Sequence, residues 1–573
     1  MGGDDLTTTF ADIEALSAQT DEIRDNLTRL RRTPPLTRLW KNRPDGSPGA
    51  VLQGRVPDTV AGKFPWKNNK SVGGQLRLRL DHHLARWLVS IPDDPEAKKN
   101  VIVTVDVMGG AKRWSGLLKN WKVVTKNRVH YLEVNFVDDL QFLQFMLGPP
   151  NPALPIPIFQ FPRVLPIFGP AKWAISMMVL MNLIRLNGHP WTMPDDPFNV
   201  ESWDDLFDWS DWQVLIKCKP FDLDDSSLWT ILATRMNRMD QIIGDALDDA
   251  QLTITYRRIV TVDGETCPVE GVDTCENLAL VFEVVDNSGY YSADGTGTGG
   301  GIAAGLQRTV AQFLSGFVED VRLFVDDDQS IWPDEYYQGH YHGTIPSHPH
   351  VTVRDSRYSQ IETSELTWAP ATAVSVIVGG DNPLVDQLAR LTIESIAALI
   401  GYFLLGGFSG LGSIVADVVM PFLVGTIFAW LQWTNHTRAH NLGWIHLYEI
   451  YQQGAENNSW SLSAVAALRA GFEVTKSQTA HQFTMRDGGE YIPGLDYDIG
   501  HRIISTASHV TDKLFVDQVE EMEIDWDFEA GKFFGWSTTV GKADAAMSMA
   551  ARNARLLTKA FTTLQNIGVH LIS

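Results

Sequence analysis

Apolar residues recur at every second position in three runs near the start of this chain. Leu76, Leu78 and Leu80 alternate with polar or charged neighbours, and Val101, Val103, Val105 and Val107 repeat the spacing, as do Leu132, Val134 and Phe136. A period of two puts one face of an extended strand against a core and the other toward water. Gly109-Gly110 ends the valine run, so Val101–Val107 and Trp114–Val124 read as a hairpin. Leu36 to Phe145 is therefore expected to form a β domain, barrel-like in shape. Further strands are expected at Leu252–Val262, Leu278–Val285 and Val351–Val353, and Gly494 to Ile504 reads as a turn leading into a strand.

Helical spacing appears elsewhere. Ile13, Leu16, Thr20, Ile23, Leu27 and Leu30 recur in steps of three and four until Pro34-Pro35 stops the helix. A short coiled coil and a helix packed on its own domain both fit that seam. Pro149 to Pro170 is too Pro-rich for regular structure, and Ala171 to Leu186 follows as an apolar helix. Leu462 to Phe472 reads as a helix, and Ala543 to Ile567 as an amphipathic one. Asp222, Asp224 and Asp225 resemble a cation loop, but Ser226 or Ser227 capping a helix Leu228–Arg238 explains them at least as well.

The 24 positions from Glu394 to Asp417 hold no charge between their ends, and Val418 to Trp433 holds none either. Gly406, Gly407, Gly410 and Gly412 break the first run, which includes Leu404 and Leu405, so an apolar helical hairpin is expected. Trp430 and Trp433 stand near one end, as interfacial aromatics do. Burial in an oligomeric core is the preferred reading; release into a bilayer and constitutive insertion are the others. Packed near a symmetry axis, the lone Asp417 would need a partner or water.

The formal net charge of −22 disfavours wrapping around nucleic acid, though not DNA passing down a wide tube. Three cysteines are too few for a disulfide framework; Cys267 and Cys275 are expected as thiols rather than a pair. The first residues carry no basic and apolar leader pattern, so assembly in a cytoplasm is expected. His340, His342, His348 and His350 form two His-x-His pairs and are weak metal candidates; an ordinary polar loop is preferred. No GxSxG, HExxH or P-loop is present, so no catalytic residue, no cofactor and no enzymatic activity are expected.

Three short stretches carry a resemblance. Val105 to Gly116, with its Arg113-Trp114-Ser115-Gly116 turn into a second strand, resembles the first strands of a phage tail-hub domain. Tyr491 to Ile503, containing Pro493, Gly494, Tyr497 and Gly500, is similar to that family's later motif, with His501 where the family has an acidic residue. Pro34 to Trp40 matches the opening before the first domain. The chain thus resembles minor tail proteins of the baseplate-hub type from siphophages infecting actinobacteria, such as mycobacteriophages. The resemblance implies a multidomain α+β fold with β-barrel-like tube domains, inserted helices and the apolar hairpin. It implies a homotrimer at the tail tip of the virion. Its neighbours would be the distal tail protein, the tape measure protein and other minor tail proteins, with transient host-membrane contact and DNA only passing through the channel.

The corresponding division is an N-terminal helix at 1–33, a first hub domain at 34–150, and a Pro-rich linker and apolar helix at 151–200. A middle α+β region follows at 201–385, the apolar hairpin at 386–440, second hub elements at 441–520 and an extension at 521–573. A tail-associated cell-wall hydrolase and a membrane protein with a helical hairpin are the alternatives.

Overall fold

The structure is a computed structural model. It describes residues 10–154, 165–187, 209–287, 351–379, 430–451 and 478–541, apart from isolated positions, with a few further residues such as Leu468 and Phe472.

The alternating runs form strands as their spacing requires. β1 (Leu36–Asn42), β2 (Ala50–Arg55), β3 (Ala61–Lys67), β4 (Gly73–Arg79), β5 (Val101–Val107), β6 (Lys112–Lys126) and β7 (Val129–Asp138) all enter one sheet. The expected hairpin is present: Val105 pairs with Trp114 and Val103 with Gly116. Its turn holds Met108, Gly109 and Gly110 at positive φ, which glycine adopts without steric cost.

The same sheet takes in the far end of the chain. Thr511–Asp527 pairs antiparallel with β3, Met522 opposite Trp66 and Ile524 opposite Phe64. Lys532–Val540, Gln478–Arg486 and Ile361–Ala369 follow in order, and the short strands Arg502–Ala507 and Thr352–Val353 branch from Thr511–Asp527. The result is a sheet of 13 strands. One core runs beneath it, from Leu39 through Phe64, Trp114 and Phe136 to Met522 and Val540.

A second core gathers around the helix Ala171–Asn187, the helix Met239–Asp249 and the strands Val214–Ile216, Leu252–Arg258 and Leu280–Asp286. The helix Phe10–Arg32 leaves Leu16 and Ile23 exposed, while Leu27 and Leu30 pack on the first core.

Several expectations are corrected. The large sheet is not a closed barrel, because its strand path ends at β2 on one side and Ile361–Ala369 on the other. The segment expected as the helix Leu228–Arg238 holds a strand, Trp229–Thr234, whose β-branched and aromatic residues suit a ribbon. Its partner is Leu165–Pro170, inside the stretch expected to lack regular structure. A two-stranded ribbon has an open side at each strand, so Pro166 and Pro170 cost it few ladder bonds. Trp430 and Trp433 do not end a helix either: both lie in the strand Trp430–Thr434, paired with Ala373–Gly379. The expected hairpin is therefore unsupported at that end, where the strand is followed by the short helix His436–Leu442. Leu404, Leu405 and Asp417 lie outside the described residues, as does the helix expected at Ala543–Ile567. Among the described residues no helix is long and apolar enough to cross a membrane.

Candidate functional site

The residues Arg113 to Gly116 sit on β6, and strand alternation sends them to two sides. Trp114 points into the first core and is fully buried. Its indole N–H donates to the Pro65 carbonyl at 2.8 Å, and its ring lies 5.0 Å from that of Phe64. Two glycines make the space. A Cβ on Gly116 would stand 2.2 Å from the Val137 carbonyl oxygen, and one on Gly74 would stand 2.8 Å from the Trp114 ring.

Arg113 and Ser115 face the other way, onto the second core. The Ser115 hydroxyl donates to Asp139, whose carboxylate also receives Nε of Arg258 at 2.8 Å and a terminal nitrogen at 2.6 Å. Arg258 and Asp139 are both buried, and Arg258 reaches on to the Leu278 carbonyl at 2.9 Å. Arg113 donates to the Arg258 carbonyl at 2.7 Å and to Glu265 at 2.8 Å. Asp106 bridges Arg113 to Arg38, which also meets Asp263. Burial opposes charge on Arg113, and Asp106 and Glu265 more than offset it, leaving the guanidinium pKa raised. Burial alone would raise Glu265, but hydrogen bonds from Arg113, the Val260 amide and Arg257 hold it below its usual range. This chain of alternating charges joins the large sheet to the second core.

Asp138 lies beside it in sequence and is buried too. Burial pushes its carboxyl up to about 7, against the lowering bonds from the Ser71 hydroxyl and the Val72 amide; Asp139 adds to the rise. Burial also raises Tyr256 well above its usual value, and Asp138 adds to that.

The later motif forms a tight loop. Gly494 at φ +82 lets its amide donate to the Tyr497 carbonyl at 2.8 Å, and Pro493 bridges to Tyr497. Tyr497 is buried with its hydroxyl 3.1 Å from that of Thr538. Gly500, at φ +78, lies so close to Thr253 that a Cβ would stand 1.9 Å from its hydroxyl oxygen. His501 serves as an acceptor in this loop, receiving the Asp498 amide at 3.2 Å. Asp498 in turn pairs with Lys112 of β6, whose ammonium also lies 5.4 Å over the Trp66 ring. The two motifs, distant in sequence, meet at Lys112.

Other candidates fall differently. His340, His342, His348 and His350 lie outside the described residues. Among the described residues no group of three or more His, Cys, Asp or Glu is placed to hold a metal. Asp225 and Ser227 do cap a helix, but not their own. Asp225 accepts the Trp173 amide at 2.9 Å and Ser227 the Lys172 amide at 3.1 Å, at the start of Ala171–Asn187. Cys218, Cys267 and Cys275 are free thiols. Sequence reasoning did not single out Asp139 and Arg258, whose pairing spans 119 positions and leaves no local signal.

The chain is similar to two curated relatives across most of its length. It is 29% identical over 523 residues to the minor tail protein Gp28 of Mycobacterium phage L5, covering 82% of this chain and 86% of that one. It is 30% identical over 524 residues to the minor tail protein Gp28 of Mycobacterium phage D29, with the same coverage. Among solved structures, the tail protein from Neisseria meningitidis MC58 aligns at 9% identity and a TM-score of 0.37, over 89% of this chain and 97% of that one, a likeness too weak to carry an argument. The molecule is a siphophage minor tail protein, a component of the virion tail. More particularly, it belongs to the family of Siphovirus ReqiPepy6 Gp37-like proteins, whose model matches residues 38–542.

Proposed function

We propose that this chain is a structural hub of the tail tip: a homotrimer at the distal end of the tail tube, through which DNA passes, without catalysis or cofactor. The observation that carries this reading is the sheet that takes strands from both ends of the chain and, among the described residues, ends in the outer strands β2 and Ile361–Ala369. Unpaired edges are a liability that stable proteins cover. Head-to-tail pairing between copies closes a ring when the rotation allows, so the tube-like closure arises between chains rather than within one. In this reading residues 34–150 and 441–520 supply the hub domains.

Where the second core does not cover it, the sheet face opposite the first core suits a channel wall. Lys63 pairs with Glu523 at 3.0 Å, Lys67 with Glu521 at 3.2 Å and Lys122 with Glu133 at 2.8 Å. Lysines already matched by carboxylates have little left to offer a phosphate backbone, so passing DNA is not held. The distal tail protein, the tape measure protein and other minor tail proteins are the neighbours in this arrangement. The uncharged run containing Leu404 and Leu405 would be held in the trimer, with Asp417 partnered there, and released toward the host membrane when the tip opens.

Light scattering on the purified full chain tests the trimer; a stable monomer at assembly concentrations would reject it. Incubation with peptidoglycan tests the absence of catalysis. Hydrolysis lost on changing a single carboxylate would make the protein an enzyme. Particles assembled with Leu404→Asp and Leu405→Asp test membrane entry, and unchanged DNA delivery would reduce that run to a core.

A further inference from the structure

The large sheet buries most of its apolar side chains and exposes scattered ones such as Trp368 and Phe533, whereas a smaller sheet exposes several close together at its outer edge. That sheet runs Trp430–Thr434, Ala373–Gly379, Leu447–Tyr451, with Leu447 opposite Ala373 and Tyr451 opposite Ile377. Just before and along the edge strand, Trp444 is 93% exposed, Ile445 84%, Tyr448 78% and Leu447 54%. Tyr451 is exposed as well. In this strip the edge strand Leu447–Tyr451 spans roughly 15 Å, and Trp444 and Ile445 lie in the bend just before it.

The strip is held on a formed base. Val376 and Val378 pack with Leu468 and Phe472 behind it. Buried Arg438, on the helix leading into the strip, donates to the Ala373 carbonyl at 2.7 Å and the Thr475 hydroxyl at 2.8 Å. Gly443 at φ +84 then turns the chain out to Trp444.

Charge is scarce here. From Ser395 to Tyr451 the charged side chains are Asp417, Arg438 and Glu449, in a chain that is 20% charged and carries −22 overall. An acidic surface is repelled by an anionic bilayer, and this stretch is the exception. We propose that the strip Trp444–Tyr451 is a lipid-contact surface. Trp444 and Ile445 enter the boundary between headgroups and acyl chains, while Tyr448 flanks one side of the edge strand and Leu447 and Tyr451 the other, with the tyrosine hydroxyls at headgroup level. Trp and Tyr combine an apolar body with a polar tip, which suits that layer.

Two magnitudes favour lipid over a protein partner. A standard protein interface uses roughly 20–30 residues a side, and one strand edge with five large apolar side chains falls well short. A bilayer needs no matching shape. A five-residue strand is shorter than the roughly 9–11 residues that a membrane-spanning strand needs, so it would lie along the interface. The inference rests on the tail-tip reading only for where the strip would meet a host envelope.

The test is flotation of the full-length protein with vesicles of mixed phosphatidylglycerol and phosphatidylcholine. Wild type should float. Trp444→Ala with Ile445→Ala should lower the vesicle-bound fraction at least about tenfold, the effect of roughly 1.4 kcal/mol, with the oligomeric state and incorporation into tails unchanged. Tyr448→Glu, a second surface change, should act in the same direction. Wild type that does not float overturns the proposal, as does a Trp444/Ile445 variant that floats equally well. A variant that alters the oligomeric state while flotation persists makes the strip a contact between copies. Loss of flotation with Leu404→Asp and Leu405→Asp, but not with the Trp444/Ile445 variant, moves lipid contact to that run and overturns it too. A chain that floats yet never enters tails overturns the tail-tip reading and leaves this one standing.

Discussion

The Lys112 ammonium and the Asp498 carboxylate form an ion pair across 386 positions of sequence, and the pair joins the Val105–Gly116 hairpin to the Tyr491–Ile503 loop. Lys112 is largely buried while Asp498 keeps a third of its side-chain surface. A double-mutant cycle on Lys112→Ala and Asp498→Ala should return a coupling of about 1 kcal/mol, at the lower end for interacting pairs. Additive losses in denaturant unfolding would mean that the motifs touch without stabilising each other.

Trp114→Ala should cost about 3–5 kcal/mol, as large aromatic truncations in cores do. Trp114→Phe should cost less, yet still leave the Pro65 carbonyl without its donor, at about 1–3 kcal/mol. Both are read from urea midpoints at constant slope. The alanine variant should also enter tails poorly, and normal assembly would contradict a core role for the indole.

Asp139→Ala strands Arg258 in a buried site. Breaking such a pair costs about 3–5 kcal/mol, while replacing both partners with apolar residues is often close to neutral. Asp139→Leu combined with Arg258→Met should therefore be less destabilising than either single change. Thermal unfolding of all three variants decides it. A double variant at the sum of the singles would mean that Asp139 and Arg258 contribute independently, with no coupling across the pair.

Asp138 makes stability fall with pH. Its folded value, about 7, lies above the ordinary 3.8. The stabilising contribution is fully present below pH 3.8 and is lost as pH rises through about 7. Asp138→Asn keeps an acceptor for Ser71 and the Val72 amide and removes the titration. The variant should gain on wild type between pH 4 and 8, by at most about 4 kcal/mol for a shift of this size. Parallel stability curves for the two proteins would rule the assignment out.

Much of the fold was legible from local spacing. The period of two over Leu76–Leu80, Val101–Val107 and Leu132–Phe136 points to strands, and each run became one, although Val101–Val107 is buried on both faces. Glycines at 109 and 110 announced the hairpin turn because few other residues adopt positive φ without strain. The largely apolar run Ala171–Asn187 became a buried helix, as its length and composition indicated.

What only the tertiary structure decided depends on partners remote in sequence. Trp229–Thr234 falls in the run that local sequence assigns to a helix, and its pairing with Leu165–Pro170 makes it a strand. Trp430 and Trp433 look like the end of an apolar helix until Ala373–Gly379 supplies a ladder for them. Asp225 caps a helix that begins 54 positions earlier, and Arg258 neutralises an aspartate 119 positions away. The hairpin that carries Trp114 and the turn that carries Tyr497 could be read from their residues alone. Their meeting at Lys112 could not, because local preference describes each strand, whereas the burial of charge and apolar surface is settled between strands.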